Sequence, residues 1–144
     1  MPQRPVRSII EKQELVTAGT AMTVAAAAGL MKDKRVGALL VVEDGRLAGI
    51  FTERDAVFRV LAEGRDPGST TLGEVMTANP RSIAPDRPFG HALHLMYDGG
   101  FRHVPVVDNG RAIGMISARD ALGPELEEFV SDLETRSRIG EILG

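Results

Sequence analysis

The residues best suited to do chemistry are a hydroxyl and a carboxylate that recur together at two places in the chain. Thr52 precedes Asp55 by three positions, and Ser117 precedes Asp120 by the same spacing. Each pair ends a run typical of a strand and stands where a helix should begin. A hydroxyl and a carboxylate at this spacing predict a capping box, in which both side chains bind backbone N–H groups. On this interpretation the pairs are structural, each cap being worth about 0.5–2 kcal/mol.

The same geometry also suits a bound nucleotide. A helix N-terminus offers unpaired N–H groups and partial positive charge to a phosphate, while a carboxylate beside a hydroxyl can bind the two hydroxyls of a ribose. Arg54 and Arg119 stand directly before the two aspartates, and a guanidinium group can bind phosphate oxygens in pairs. Either arginine could equally be a solvated side chain or an ion-pair partner. From these residues alone, both interpretations stay open.

The two junctions belong to a longer internal repeat. Segment 49–56 aligns with segment 114–121 at an offset of 65 residues, and the register continues without a gap. A fixed offset between identical residues is the signature of a repeated structural unit. The other matched positions are Ala27 with Ala92, Leu30 with Leu95, Met31 with Met96, Asp33 with Asp98, Val41-Val42 with Val106-Val107, and Gly45-Arg46 with Gly110-Arg111.

Each unit is predicted to run helix, strand, tight turn, strand, helix. Alanine-rich and apolar periodic stretches favour the helices, β-branched runs favour the strands, and Asn109-Gly110 is a strong hairpin signal. A unit of about sixty residues is marginal alone, so the two should pack face to face as a pseudo-twofold pair. The predicted elements are helix 22–31, strands 36–42 and 47–52 and helix 55–63 in the first unit, then helix 89–97 and strands 104–107 and 112–117 in the second.

Composition narrows the class of protein. The chain has 144 residues, 43% of them apolar, a formal net charge of −3 and no cysteine. No apolar run approaches the roughly 18 residues of a membrane span, and no apolar segment near the start suits a signal peptide. Basic residues are not clustered and aromatic residues make up only 4%, which disfavours nucleic-acid binding. We therefore expect a cytoplasmic protein that binds neither membranes nor nucleic acids.

The repeated junction resembles that of tandem CBS repeats, the pair often called a Bateman module. The motif is Gly, two hydrophobic residues, Thr or Ser, two variable residues and Asp, found at 49–55 and 114–120. Each copy follows an Ala-x-x-Leu-Met helix and a Val-Val strand, and segment 101–106 is also typical of the family. The resemblance implies an α/β (α+β) fold of two helix-strand-strand-helix repeats packed through their small sheets. It divides the chain into repeat 1 at 1–66, repeat 2 at 67–123 and an amphipathic C-terminal helix at 124–144.

The resemblance also implies an adenosine-containing ligand, such as AMP, ADP or ATP, or else NAD or S-adenosylmethionine. In this family the hydroxyl and carboxylate hold ribose, adenine lies between the repeats, and each of two clefts draws on both repeats. Because Arg102 and His103 align with Gly37 and Ala38, we expect the cleft at Thr52 and Asp55 to prefer phosphorylated ligands. By position, one cleft combines Met115, Ser117, Arg119 and Asp120 with Val16, Gly37 and Ala38, and the other combines Ile50, Thr52, Arg54 and Asp55 with Arg81, Arg102 and His103.

Other kinds of site are not indicated. His91, His94 and His103 could in principle hold a metal, but no cysteine or suitably spaced carboxylate supports them. No nucleophile elbow or phosphate loop of an enzyme is present. The expected role is therefore a regulatory ligand sensor that is not an enzyme. A constitutive interaction or scaffold module with vestigial clefts stays open.

The segment after the repeats is expected to be an amphipathic helix. Leu126, Phe129, Val130 and Leu133 fall at helical spacing. This helix could pack within its own chain or against a second subunit. The resemblance implies a homodimer, and an unidentified regulated protein is a further possible partner.

Overall fold

A computed structural model describes residues 4–143, with side chains described for residues 4–140. The two repeats follow each other along the chain, and each contains one β-hairpin with helices on one side. The elements are α1 Val6–Ile10, β1 Thr17–Ala18, α2 Val24–Lys34, β2 Ala38–Glu43, β3 Arg46–Thr52, α3 Glu53–Asp55 continuing as the π-helical segment Ala56–Leu61, α4 Leu72–Val75, β4 Thr77–Ala78, α5 Phe89–Gly99, β5 His103–Asp108, β6 Arg111–Ser117, the 3₁₀ turn Ala118–Asp120, and α6 Gly123–Leu143.

The strands form one sheet in the order β1-β2-β3-β6-β5, with β4 paired to β3. Strands β2 and β3 are antiparallel, as are β5 and β6. Both predicted hairpin turns are present, and their central residues have positive φ: 52° and 77° at Asp44 and Gly45, 52° and 82° at Asn109 and Gly110. Asp-Gly and Asn-Gly turns adopt this conformation readily, which explains why the sequence signal was reliable.

Alternate side chains of each hairpin face opposite sides, and this places one core under each helix and a third between the repeats. In β2, Leu39 and Val41 pack with α2, whereas Ala38 and Leu40 face the opposite way. The third core joins Ala38, Leu40 and Ile50 of repeat 1, with Met115 of repeat 2 packed against them. The predicted α+β fold is confirmed. The two hairpins, expected as separate small sheets, are joined into one sheet where β3 pairs with β6 at Arg46 and Arg111, and the third core lies between the repeats.

The short lead-in helices are exchanged between the repeats. Helix α1 packs in the core of repeat 2, and α4 packs in the core of repeat 1. The first glycine of each junction motif makes this possible. A Cβ on Gly49 would lie 2.7 Å from the backbone oxygen of Thr77, and one on Gly114 would lie 2.6 Å from Cγ2 of Ile10. Each lead-in segment therefore packs closely against the junction of the opposite repeat, and these contacts hold the two repeats together.

Helix α6 packs on α5 of its own chain. The Phe129 ring meets those of His94 and Tyr97 edge to face, with centroids 4.9 Å and 5.8 Å away. Arg136 forms an ion pair with Asp98 at 3.3 Å. Within residues 4–143, no helix combines the length and apolar character that crossing a bilayer requires.

Candidate functional site

Both predicted junctions are capping boxes. The Thr52 backbone N–H donates to Oδ2 of Asp55 at 3.0 Å, and the Asp55 N–H donates back to Oγ1 of Thr52 at 3.1 Å. At the second junction the Ser117 N–H donates to Oδ2 of Asp120 at 2.8 Å, and Oγ of Ser117 accepts from the Arg119 N–H at 3.2 Å. Each capping box uses one oxygen of its carboxylate, Oδ2. A carboxylate has two acceptor oxygens, so the environment of Oδ1 decides whether a ligand can also bind.

The first junction is closed around its carboxylate. Asp55 is 8% exposed. Its Oδ1 accepts from Oγ1 of Thr77 at 3.5 Å and lies 3.6 Å from Nε of Arg59. The Arg59 guanidinium also donates to the Met76 carbonyl at 2.9 Å, so it is held in place. Asp55 thus fastens α3 to the strand and linker that pass beside it.

The second junction is more open. Asp120 is half-buried, and no hydrogen bond among the described residues reaches its Oδ1. Its backbone carbonyl accepts from Nη2 of Arg4 at 2.8 Å, and Arg4 is bound in turn by Glu125 at 2.7 Å. These contacts fix the main chain behind the carboxylate. They leave Oδ1 of Asp120 able to accept a further hydrogen bond.

The strand edges beside the two junctions are covered in different ways. Backbone pairing with Thr77 in β4 covers Ile50 in β3. The equivalent Met115 in β6 is covered by a side chain: its N–H donates to Oε1 of Gln13 at 2.8 Å, and its carbonyl accepts from Nε2 of Gln13 at 2.7 Å. Gln13 is not among the site residues predicted from the sequence. The repeat offset, which aligns segment 12–13 with β4, could have drawn attention to it.

His103 lies where the two repeats meet. It pairs with Ser117 across β5 and β6. A Cβ on Gly37 would be 2.8 Å from Oε1 of Glu53 and 3.8 Å from Cε1 of His103, so Gly37 leaves the room that these side chains occupy. Burial lowers the pKa of His103 below its ordinary value of 6.5; the nearby Glu53 and Asp120 carboxylates oppose this shift, and Arg102 and Arg119 add to it. The surroundings of His103 therefore favour the neutral form of the imidazole more than water does.

The four arginines of the predicted site are exposed. Among side chains 4–140, the guanidinium groups of Arg81, Arg102 and Arg119 make no hydrogen bond or ion pair. The Arg54 guanidinium lies over the Phe58 ring, 5.3 Å from its centroid. Arg102 and Arg119 are close enough to affect the pKa of His103, whereas Arg81 lies on the loop after β4. Two unpaired cations thus flank the open junction.

The apolar residues of the predicted clefts are only partly brought together. Ala38 and Ile50 share the core between the repeats with Met115. The Val16 side chain instead belongs to the core under α2, and its carbonyl accepts from the Leu40 N–H at 3.1 Å. No three His, Asp or Glu side chains within residues 4–140 are grouped as metal ligands would be. His94 lies 3.4 Å from Asp132 and against Phe129.

Known proteins resemble this chain over both repeats. The sequence model of the CBS domain matches residues 6–62 and 72–124. The mitochondrial CBS domain-containing protein CBSX3 of Arabidopsis thaliana is 36% identical over 109 residues, which cover 72% of this chain and 53% of that protein. The chain thus spans about half the length of this curated relative.

Solved structures share the fold over nearly their whole length. A protein with CBS domains from Burkholderia ambifaria MC40-6 has a TM-score of 0.77 and 33% identity, covering 90% of this chain and 96% of that one. The CBS domain pair of protein MJ0100, solved with 5′-methylthioadenosine and S-adenosyl-L-methionine, has a TM-score of 0.74 and 28% identity, covering 83% and 93%. With two matched repeats and this architecture, the chain belongs to the CBS domain family.

Proposed function

We propose that this chain is a regulatory module that binds an adenosine-containing ligand at the junction of Ser117 and Asp120, and that it is not an enzyme. The observation that carries the proposal is the half-buried Asp120 carboxylate, of which only Oδ2 is used in capping. A carboxylate oxygen at the end of a strand accepts well from a ribose hydroxyl. Two exposed arginines, Arg102 and Arg119, are the cations for a phosphate.

The remaining cleft residues supply apolar contact and backbone groups. Ala38 is fully buried in the core between the repeats, and Met115 packs against this core from the opposite repeat, so an adenine base would enter beside the partly exposed Met115 side chain. Gly37 and His103 line the adjoining contact between the repeats. The protein MJ0100 binds two ligands that share an adenosyl group, which supports the same class of ligand here. AMP, ADP, ATP, NAD and S-adenosylmethionine all carry this group.

The junction of Thr52 and Asp55 is proposed to be structural in the first place. A ligand there would have to displace Thr77 and Arg59 from Oδ1 of Asp55. Ile50 is already paired to β4, and Arg54 is stacked on Phe58. His103 and Arg102 act electrostatically with Asp120 and Arg119, so we assign the preference for phosphorylated ligands to the Asp120 side. Arg81 is left with a distant steering role.

Sensing follows if the ligand binds one arrangement of the repeats better than another. A ligand shifts such an equilibrium only by its differential affinity for the two states. A molecule that binds Asp120 and contacts Gly37 of the other repeat would bind more tightly to the arrangement that brings the two residues together. We place the chain in the cytoplasm because it contains no cysteine. Cell fractionation would test this location.

We also propose that the chain acts as a homodimer. Leu126, Val130 and Ile139 on α6 are 45%, 51% and 50% exposed, and Val57, Phe58 and Leu61 are 49–66% exposed. A second copy that covers both patches would remove this apolar surface from water. Light scattering should give twice the chain mass, and Val130→Glu should halve it. A monomeric parent would refute the dimer.

Calorimetry with adenosine, AMP, ATP and S-adenosylmethionine tests the ligand proposal. Arg119→Ala should weaken AMP binding about tenfold, because a charged hydrogen bond to phosphate is lost, and should leave adenosine binding nearly unchanged. Arg54→Ala is the matched control at the equivalent position and should change neither. Equal losses in both variants would contradict the assignment to one junction. Binding of none of the four compounds would favour the scaffold alternative.

A further inference from the structure

We propose that the Gln13 side chain is a built-in competitor of the ligand's base, occupying the backbone of Met115 until the base displaces it. The carboxamide makes two hydrogen bonds there, accepting from the Met115 N–H at 2.8 Å and donating to the Met115 carbonyl at 2.7 Å. Both partners belong to one residue of β6. This inference rests on the proposed binding of an adenosyl ligand at the same junction.

The two groups of Met115 face outward because of the strand pairing. Met115 is opposite Pro105 in β5, and the Pro105 carbonyl accepts from the Ile83 N–H on the side away from β6. The two residues therefore form a pair that exchanges no hydrogen bonds, and the Met115 N–H and carbonyl point out of the hairpin. Further along, β6 meets β3 at Arg46 and Arg111, so the strands diverge before they reach Met115. An exposed strand edge offers one donor and one acceptor side by side. Gln13 binds the N–H and the carbonyl of Met115. Met115 lies two residues before Ser117, whose hydroxyl belongs to the junction.

Adenine carries the same pair of functional groups as a carboxamide. Its 6-amino group donates, and the neighbouring ring nitrogen accepts. A base bound at Met115 would therefore need the two atoms that Gln13 holds. With the ribose at Asp120, the base lies toward Met115, which packs against Ala38 of the other repeat. Ligand and side chain cannot occupy this edge together.

Gln13 is also placed to leave. Its side chain is exposed, and it lies in the loop 11–16 between α1 and β1, so rotation about its side-chain bonds breaks both contacts without moving a strand. The equivalent edge at Ile50 is covered by the backbone of β4, which cannot leave without unpairing from β3. The difference explains in chemical terms why one junction can accept a base and the other cannot. It also links ligand binding to the α1 segment that packs on repeat 2.

The decisive variants remove the amide but keep the fold. Gln13→Met retains most of the side-chain volume, and Gln13→Ala removes it. Both should bind AMP about five- to tenfold more tightly than the parent, because two solvent-exposed hydrogen bonds no longer compete. Lys12→Ala, at the exposed neighbouring position, is the control and should leave the AMP affinity unchanged. Ribose 5-phosphate, which has no base, should bind parent and variants equally.

Nuclear magnetic resonance supplies a readout that a merely structural bond would not give. In ¹⁵N-labelled parent protein, AMP should move the Gln13 side-chain amide signals to the position of a free amide, and ribose 5-phosphate should not. Equal AMP affinities in the parent and both Gln13 variants, weaker binding in the variants, or unmoved Gln13 signals in the AMP complex would overturn the competitor role alone. No binding of AMP to the parent or to any variant would overturn the proposed function together with it.

Discussion

The two junctions share one motif but differ in what surrounds the carboxylate. Asp55 is 8% exposed, and Thr77 and Arg59 approach its second oxygen. Asp120 is half-buried, and among side chains 4–140 its contacts are the capping bond and the support of Arg4 on its carbonyl. A hydroxyl and a carboxylate at the same spacing therefore have different roles in the two repeats. The neighbouring chain, which the motif does not encode, decides between a structural fastener and a binding group.

The segments that follow the two junctions also differ from each other. After Asp55 the chain turns into a π-helical segment and then reaches the linker to repeat 2. After Asp120 a single 3₁₀ turn leads to α6, which folds back on α5. The junction of repeat 1 thus holds the linker in place. The junction of repeat 2 is itself supported by α6, through the ion pair of Glu125 with Arg4.

The exchange of lead-ins gives the largest expected losses of stability, and these differ between the repeats. Gly49→Ala should cost about 2–3 kcal/mol of unfolding free energy, because its Cβ would meet the rigid carbonyl of Thr77 at 2.7 Å. Gly114→Ala should cost about 1–2 kcal/mol, because its clash is with the Ile10 side chain, which can shift. Urea unfolding followed by circular dichroism measures both. Gly29→Ala, with open space around it in α2, should stabilise the chain and serves as the control.

Substitution of the two carboxylates should cause smaller losses of stability, which again differ between the repeats. Asp55→Ala should lower the unfolding free energy by about 2 kcal/mol, because it removes a cap and leaves Thr77 and Arg59 without their partner. Asp120→Ala should cost about 1 kcal/mol, the value of the cap alone. Arg54→Ala and Arg119→Ala, both exposed, should each stay within about 0.5 kcal/mol of the parent. Equal losses for the two aspartates would erase the distinction between the junctions.

The smallest effect concerns His103, which has alanine at the equivalent position of repeat 1. Because its pKa is lowered in the folded chain, the unfolded chain binds the proton more readily. The free energy of unfolding should therefore keep its full value above about pH 6.5, the ordinary pKa of histidine. It should fall as the pH drops from there toward the lower pKa of the folded chain. The facing groups Glu53, Asp120, Arg102 and Arg119 are all part of this balance. Between pH 7.5 and 5, the urea midpoint should fall less in His103→Asn than in the parent. An equal fall in both proteins would contradict the role given to His103.

Much of the fold was predictable because its signals are local. The Asp44-Gly45 and Asn109-Gly110 turns need positive φ, and their residue types supply it. The capping boxes were equally readable, since Thr52 and Asp55 interact within one turn of helix. The repeat offset then fixed the arrangement of two similar units. Gln13 was out of reach of such local rules because its partner Met115 is 102 residues away in the chain.

The sequence by itself determined the repeated unit, its turns, its caps and its family, since each depends on residues close together in the chain or on a constant offset between them. Only the tertiary structure decided which carboxylate keeps an oxygen for a further partner and which strand edge is covered by a movable side chain. Both outcomes depend on the crossing of the lead-in segments to the opposite repeat. That crossing brings Thr77 to Asp55 and Gln13 to Met115, and it is a property of how the two halves pack.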